Sequence, residues 1–94
     1  MTEFLERQAA ILAQLIPDYE AQRISLDTLV QRIEAIKAVF DDDEIKDKLF
    51  HVIDDLEQEN AAMITSKTGL DKRGRSIVER ALMELGKIAT SMTH

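Results

Sequence analysis

Ser25-Leu26-Asp27-Thr28-Leu29-Val30-Gln31-Arg32-Ile33-Glu34-Ala35-Ile36-Lys37-Ala38-Val39-Phe40 decides the fold class of this chain. Leu26, Leu29, Val30, Ile33, Ile36 and Phe40 recur at i, i+3, i+4 and i+7. At about 100° per residue that spacing draws one apolar stripe along a helix, and Asp27, Gln31, Arg32 and Glu34 fall on the polar side. The period-2 alternation of a half-buried strand is missing. Ser25, just ahead of the stripe, is the expected N-cap, since its hydroxyl can accept from a first-turn N–H.

The same period extends in both directions. Upstream, Phe4, Ile11, Leu12, Leu15, Ile16 and Tyr19 lie along one side of a first helix, with Thr2 as its expected cap and Leu5 just inside. Pro17 removes one backbone hydrogen bond there. Because Tyr19 stays in phase with Leu12, Leu15 and Ile16, a kink is expected rather than a break. Downstream, Asp41-Asp42-Asp43 ends the second helix and caps a third, where negative charge is favoured. The third carries Ile45, Leu49, Val52, Ile53, Leu56, Met63 and Ile64, and is expected to run to about Ser66. Thr68-Gly69 is the clearest break. Asp71 then caps a fourth helix containing Ile77, Val78, Ala81, Leu82, Leu85, Ile88, Ala89 and Met92. Gly74 and Gly86 lower its propensity by about 1 kcal/mol each. Four amphipathic helices with short connections predict an all-α, single-domain four-helix antiparallel bundle over residues 1–94.

Size and composition bound the function. A 94-residue chain can bury roughly 60–65% of the surface it exposes when unfolded, enough for one core. There is no cysteine, hence no disulfide framework, thiolate zinc site or thiol nucleophile. The N-terminal stretch is acidic where a signal peptide needs basic residues, and no run approaches the ~18 apolar residues of a membrane span, so a cytoplasmic protein is expected. A net charge of −6 argues against direct contact with nucleic acid or an anionic membrane.

That charge is unevenly spread. Of eighteen acidic residues nine lie between Asp41 and Glu59, beside only Lys46 and Lys48, so this segment carries −7. Residues 1–40, with six acids and four bases, carry −2; residues 60–94, with three acids and six bases, carry +3. Dense like charge costs folding free energy, and ordinary surface helices mix Glu with Lys at i, i+4. On a helical wheel Asp43, Asp47 and Asp54 oppose the apolar stripe, Glu44 and Asp55 form a flank, and His51 and Gln58 lie between. The plain reading is a solvated helix face with caps. The sharper reading, favoured by the nine-to-two imbalance, is a docking surface for something basic. Phe50 lies away from the stripe, near Asp43 and Asp54. It either packs as a second seam against the first or fourth helix, or stands as an aromatic anchor in an acidic patch. Tyr19 is expected to pack in the core.

Catalytic and metal readings fare poorly. His51, with Asp47 and Asp55 one turn away, reads as a surface histidine beside acids. Asp41-Asp42-Asp43-Glu44 resembles the start of a calcium loop, but the sixth position is Lys46 rather than Gly and the twelfth is Val52. No strand is available for a Gly-rich phosphate loop, and nothing marks a nucleophile. No cofactor, metal or enzymatic activity is expected. The methionines read as core filler. Lys72, Arg73 and Arg75 read as a counterweight to the acidic helix across the bundle.

The stretch Leu15-Ile16-Pro17-Asp18-Tyr19-Glu20-Ala21-Gln22-Arg23-Ile24-Ser25-Leu26, continued by the helix that opened this section, resembles small bacterial immunity proteins. In these a Tyr-Glu pair precedes a short basic turn, Ile-Ser and an amphipathic helix. Asp55-Leu56-Glu57-Gln58-Glu59-Asn60-Ala61-Ala62 and Leu70–Leu82 are similar to later blocks of the pattern, which together spans about residues 12–88. The group includes immunity proteins of contact-dependent growth inhibition systems and, more distantly, the colicin D immunity protein. Gln22 departs from it, standing where glycine is expected in the turn. The resemblance implies an antitoxin that binds the C-terminal nuclease domain of a cognate toxin, often a tRNA-cleaving RNase. Charge and phase, rather than the family pattern, select Asp41, Asp42, Asp43, Glu44, Asp47, Asp54, Asp55, Glu57 and Glu59 as the expected toxin-binding surface, with Phe50 and His51 as central contacts. The alternative is an acidic helical adaptor or regulator of another basic protein. A homodimer is compatible with either reading and required by neither.

Overall fold

The computed structural model describes residues 2–66 and 70–92, with side chains at 3–63 and 70–92. Four helices, α1 (Thr2–Glu20), α2 (Leu26–Ala38), α3 (Asp43–Ser66) and α4 (Lys72–Met92), form the all-α bundle that the apolar spacing predicts. Neighbours pack in a ring, α1 on α2, α2 on α3, α3 on α4 and α4 on α1, so α1 and α3 lie diagonally. Short connections set successive helices antiparallel. Phe4 near the start of α1 meets Phe40 beyond the end of α2, with ring centroids 5.6 Å apart. Asn60, late in α3, donates to Asp27 Oδ1 at the start of α2 (3.3 Å). The core gathers Leu12, Leu29, Ile33, Leu49, Leu56 and Leu85, all fully buried.

Local chemistry explains the helix ends. Ser25 is extended (φ −80°, ψ 168°) and its Oγ accepts from the Thr28 N–H at 3.1 Å, the cap expected of it. Asp42 Oδ1 accepts from the N–H groups of Glu44 (2.9 Å) and Ile45 (3.2 Å), and Asp71 Oδ1 from that of Gly74 (2.7 Å). Pro17 does not end α1, which continues to Glu20. Three expectations shift. Phe40 is buried but lies past the end of α2, after a tight turn in which Val39 N–H bonds to Ile36 O and Phe40 N–H to Lys37 O. Phe4 and Ile11, at the margin of the α1 stripe, are 41% and 44% exposed, while Leu5 and Ala9 pack on the inner side instead. Of the methionines, Met92 is core but Met83 is 64% exposed. The break expected at Thr68-Gly69, the cap expected of Thr2 and the packing of Ile64 lie outside the described residues.

The turn after α1 carries the one described residue with a strained backbone. Arg23 N–H bonds to Asp18 O (2.8 Å) and Gln22 N–H to Tyr19 O (3.0 Å), the paired bonds of a Schellman cap. That motif puts its C′ residue in the left-handed region, and Gln22 has φ 63°. Here glycine is the residue the geometry asks for. A side chain there costs roughly 1–2 kcal/mol, against the roughly 0.5–1 kcal/mol of extra chain entropy that glycine loses on folding. Gln22→Gly is therefore expected to stabilise the protein by roughly 0.5–1 kcal/mol. A thermal melt should show this as a rise of about 2–8 °C; an unchanged or lowered midpoint would refute the account of the turn. Asp18, unfavourably placed in the last turn of α1, is compensated by Gln14 (3.1 Å) and Arg23 (2.9 Å). The Gln14 hydrogen bond, then that from Arg23, holds its carboxyl below the ordinary range.

Candidate interaction surface on α3

With α2 and α4 on either side and the core beneath, α3 presents its outer face to solvent. Leu49, Val52, Ile53 and Leu56 are buried, with Ile45 packed at the core margin. The expected acidic residues then divide by phase. Asp43, Asp47 and Asp54 form an exposed outer ridge with His51 and Gln58. Asp55 and His51 border an open groove towards α4, floored by Val52, Ala81 and Ile88. Phe50 and Glu57 turn the other way, into an open groove of about 580 Å³ shared with Glu34 and Lys37 of α2. Asp41 is exposed in the α2–α3 connection.

Two of the nine acids, Asp42 and Glu59, have structural work, and a third, Glu44, makes a surface ion pair. Asp42 is the N-cap of α3. Glu44 pairs with Lys48 at 3.3 Å. Glu59 is only partly exposed and leans on the start of α4, so that a Cβ at Gly74 would fall 2.7 Å from its Oε1. A methyl group at Gly74 would have only the flexible end of the Glu59 side chain to push aside, and in its present place that carboxylate faces the positive end of the α4 dipole. Glu59 therefore leaves the proposed outer surface. The remaining acids keep their charge towards solvent. The His51–Asp47 contact is long (3.7 Å) and exposed, worth at most a few tenths of a kcal/mol.

The expected counterweight from α4 does not form. Among the described residues no ion pair links α3 to Lys72, Arg73 or Arg75; the ion pairs all lie within α1 and the turn after it, within α3 or within α4. Antiparallel packing is the reason: the start of α4 lies beside Glu59 at the far end of α3, away from Asp41–Asp47. Among the described residues no lysine or arginine forms an ion pair with Asp43, Asp47 or Asp54.

Phe50 packs against neither α1 nor α4. It is 50% exposed, with Lys37 Nζ 5.1 Å from its ring centroid and the His51 ring edge-on at 5.9 Å. Tyr19 packs at the core margin as expected, and burial pushes its hydroxyl pKa up. The composition of the α2 flank escaped the sequence reading. Glu34 shows up there as a residue on the polar side of α2, but only the packing brings it to Glu57. Their hydrogen bond, then burial and the charges of Glu34 and Asp54, raise the Glu57 pKa, with Lys37 opposing. A carboxyl with a raised pKa in the folded state gives stability that is complete below its unfolded value and lost as pH rises through the folded one. Glu57→Gln should thus leave stability unchanged in acid. As pH climbs above the ordinary value of 4.5, the variant should become the more stable, by roughly 0.2–0.5 kcal/mol at neutrality, the scale of an exposed like-charge pair. Chemical denaturation of both proteins across that pH range measures it, and an advantage confined to acid would contradict the assignment.

No polar or charged side chain is buried among the described residues, and no group of three His, Asp or Glu side chains there is placed to hold a metal ion. No described helix is long and apolar enough to cross a membrane. Comparisons with protein-family models, curated proteins and solved structures find no match to this chain.

Proposed function

We propose that this protein is an immunity protein, binding the basic nuclease domain of a cognate bacterial toxin, an RNase or tRNase, in the cytoplasm through the acidic outer face of α3. The single observation that carries the reading is the exposed ridge of Asp43, Asp47 and Asp54, flanked by Asp55 and Glu57, on a helix that holds its place by burying the opposite face. A nuclease needs a positive cleft for phosphates, so a rigid row of carboxylates is complementary to it and can exclude RNA from it. Opposite fields also speed encounter, with a rate that falls as salt rises. The resemblance of Leu15–Glu34, Asp55–Ala62 and Leu70–Leu82 to immunity proteins supports the same class. Asp42 and Glu59 are left out of the contact surface because the fold uses them.

Co-expression with the adjacent reading frame tests the proposal. Rescue of growth, together with a stable complex on gel filtration that dissociates at high salt, is the expected result. An adjacent product that is harmless, or toxic but unbound by this protein, would remove the immunity reading. It would leave the acidic face to the adaptor alternative.

A further inference from the structure

The backbone of Gln22 destabilises the fold, and no contact among the described residues offsets it. Its φ of 63° is the setting that glycine serves, and no other described non-glycine residue has a positive φ. The side chain is exposed and makes no hydrogen bond among the described residues. Strain of this kind persists where a side chain is used, so the outlier itself points to a function. The neighbours of Gln22 are also set for contact. Arg23 is exposed yet held in place, its Nε and Nη2 each 2.9 Å from Asp18 Oδ1. Asp18 is fixed in turn by Gln14 at 3.1 Å. Tyr19 packs its ring at the core margin, and its hydroxyl has no hydrogen-bond partner among the described residues. Tyr19, Gln22 and Arg23 line an open hollow of about 470 Å³, walled on its apolar side by Ile24 and Met63. Its two charged members, Glu20 and Arg23, cancel. Hydrogen bonding and apolar contact therefore decide what it takes.

We infer that the α1–α2 turn is a second contact point for the toxin domain, with Gln22 as the residue that selects the cognate partner. Its amide both donates and accepts, as a peptide group does, and the Tyr19 hydroxyl and the remaining Arg23 N–H groups add to the set. An extended backbone segment of the partner matches these groups. Met63 places the hollow beside the late part of α3. The bundle is only 25 × 18 Å across its short axes, and a standard interface spans roughly 30 Å. A partner seated on the α3 ridge thus reaches the turn. The inference rests on the acidic-surface reading and adds what that surface lacks. Carboxylates steer any basic protein, whereas hydrogen bonds at a rigid turn demand a matching segment.

Gln22→Gly tests it, because stability and binding should move in opposite directions. The variant is expected to melt above the parent, as argued for the turn. Biosensor kinetics with the toxin domain encoded by the adjacent reading frame should show it binding roughly three- to tenfold more weakly, the scale of one lost hydrogen bond. The loss should lie in the dissociation rate and persist at high salt, since the turn has no net charge with which to steer. Gln22→Ala keeps the backbone restricted and should lose as much affinity without the gain in stability. A Gln22→Gly protein that binds and dissociates like the parent would overturn the inference and leave the acidic-surface reading standing. Affinity lost in Gln22→Gly but kept in Gln22→Ala would also overturn it, assigning the effect to the flexibility of glycine. A toxin domain that the parent protein does not bind would overturn both readings.

Discussion

Asp47→Lys, Asp54→Lys and Asp55→Lys together are expected to slow association with the co-expressed toxin domain on the order of 100-fold and to abolish rescue of growth. Each change moves the charge by two units, so the three carry the Asp41–Glu59 segment from −7 to −1 and the chain from −6 to neutral. None of the three caps a helix or enters the core: Asp47 meets only the distant His51 imidazole, Asp54 accepts from Gln58, and Asp55 rims an open groove. Relief of self-repulsion should leave the thermal midpoint unchanged or slightly raised, so lost binding cannot be charged to unfolding. Stopped-flow association at several salt concentrations is the measurement, because steering by exposed charge acts on the on-rate and is screened over about 8 Å at physiological ionic strength. A variant that associates as fast as the parent, with the same salt dependence, would place the interface on another face.

Helix content, helix order and the inner face of each helix are legible in the sequence because a 3.6-residue period fixes them locally. Ser25, Asp71 and the Asp41–Asp43 run announce their caps for the same reason. Gln22 is legible too, as a departure from glycine that the left-handed backbone then explains. What the wheel does not contain is the neighbour. Phase puts Phe50 away from the core stripe, yet only the ring order of the helices decides that it faces α2. The same holds for Glu59, which reads as one more surface acid until the approach of Gly74 gives it a structural place. Lys72, Arg73 and Arg75 look like partners for the acidic helix because charge counts ignore direction. Antiparallel packing carries them to the wrong end. Side-chain chemistry at helix ends is local and readable; charge pairing between helices depends on register, which no single segment encodes.

Leu56→Ala is expected to cost about 3–4 kcal/mol, within the range for a fully buried leucine that leaves a cavity. Leu56 is completely buried, and on the wheel it lies some 160° from Asp54 on the same helix. The loss is a large part of the roughly 5–14 kcal/mol to be expected of a 94-residue domain. It should lower the thermal midpoint by roughly 15–25 °C. A drop of only a few degrees would mean that α3 is not anchored through this face. The two effects separate cleanly. The surface reversals remove binding and spare the fold, whereas Leu56→Ala weakens the fold without touching the ridge. Below its midpoint the Leu56→Ala protein should therefore bind the toxin domain with nearly parental affinity, reduced only by the folded fraction. Binding that fails while the chain is still folded would show that the ridge depends on the exact seating of α3, and that its carboxylates act as a rigid template rather than a diffuse field.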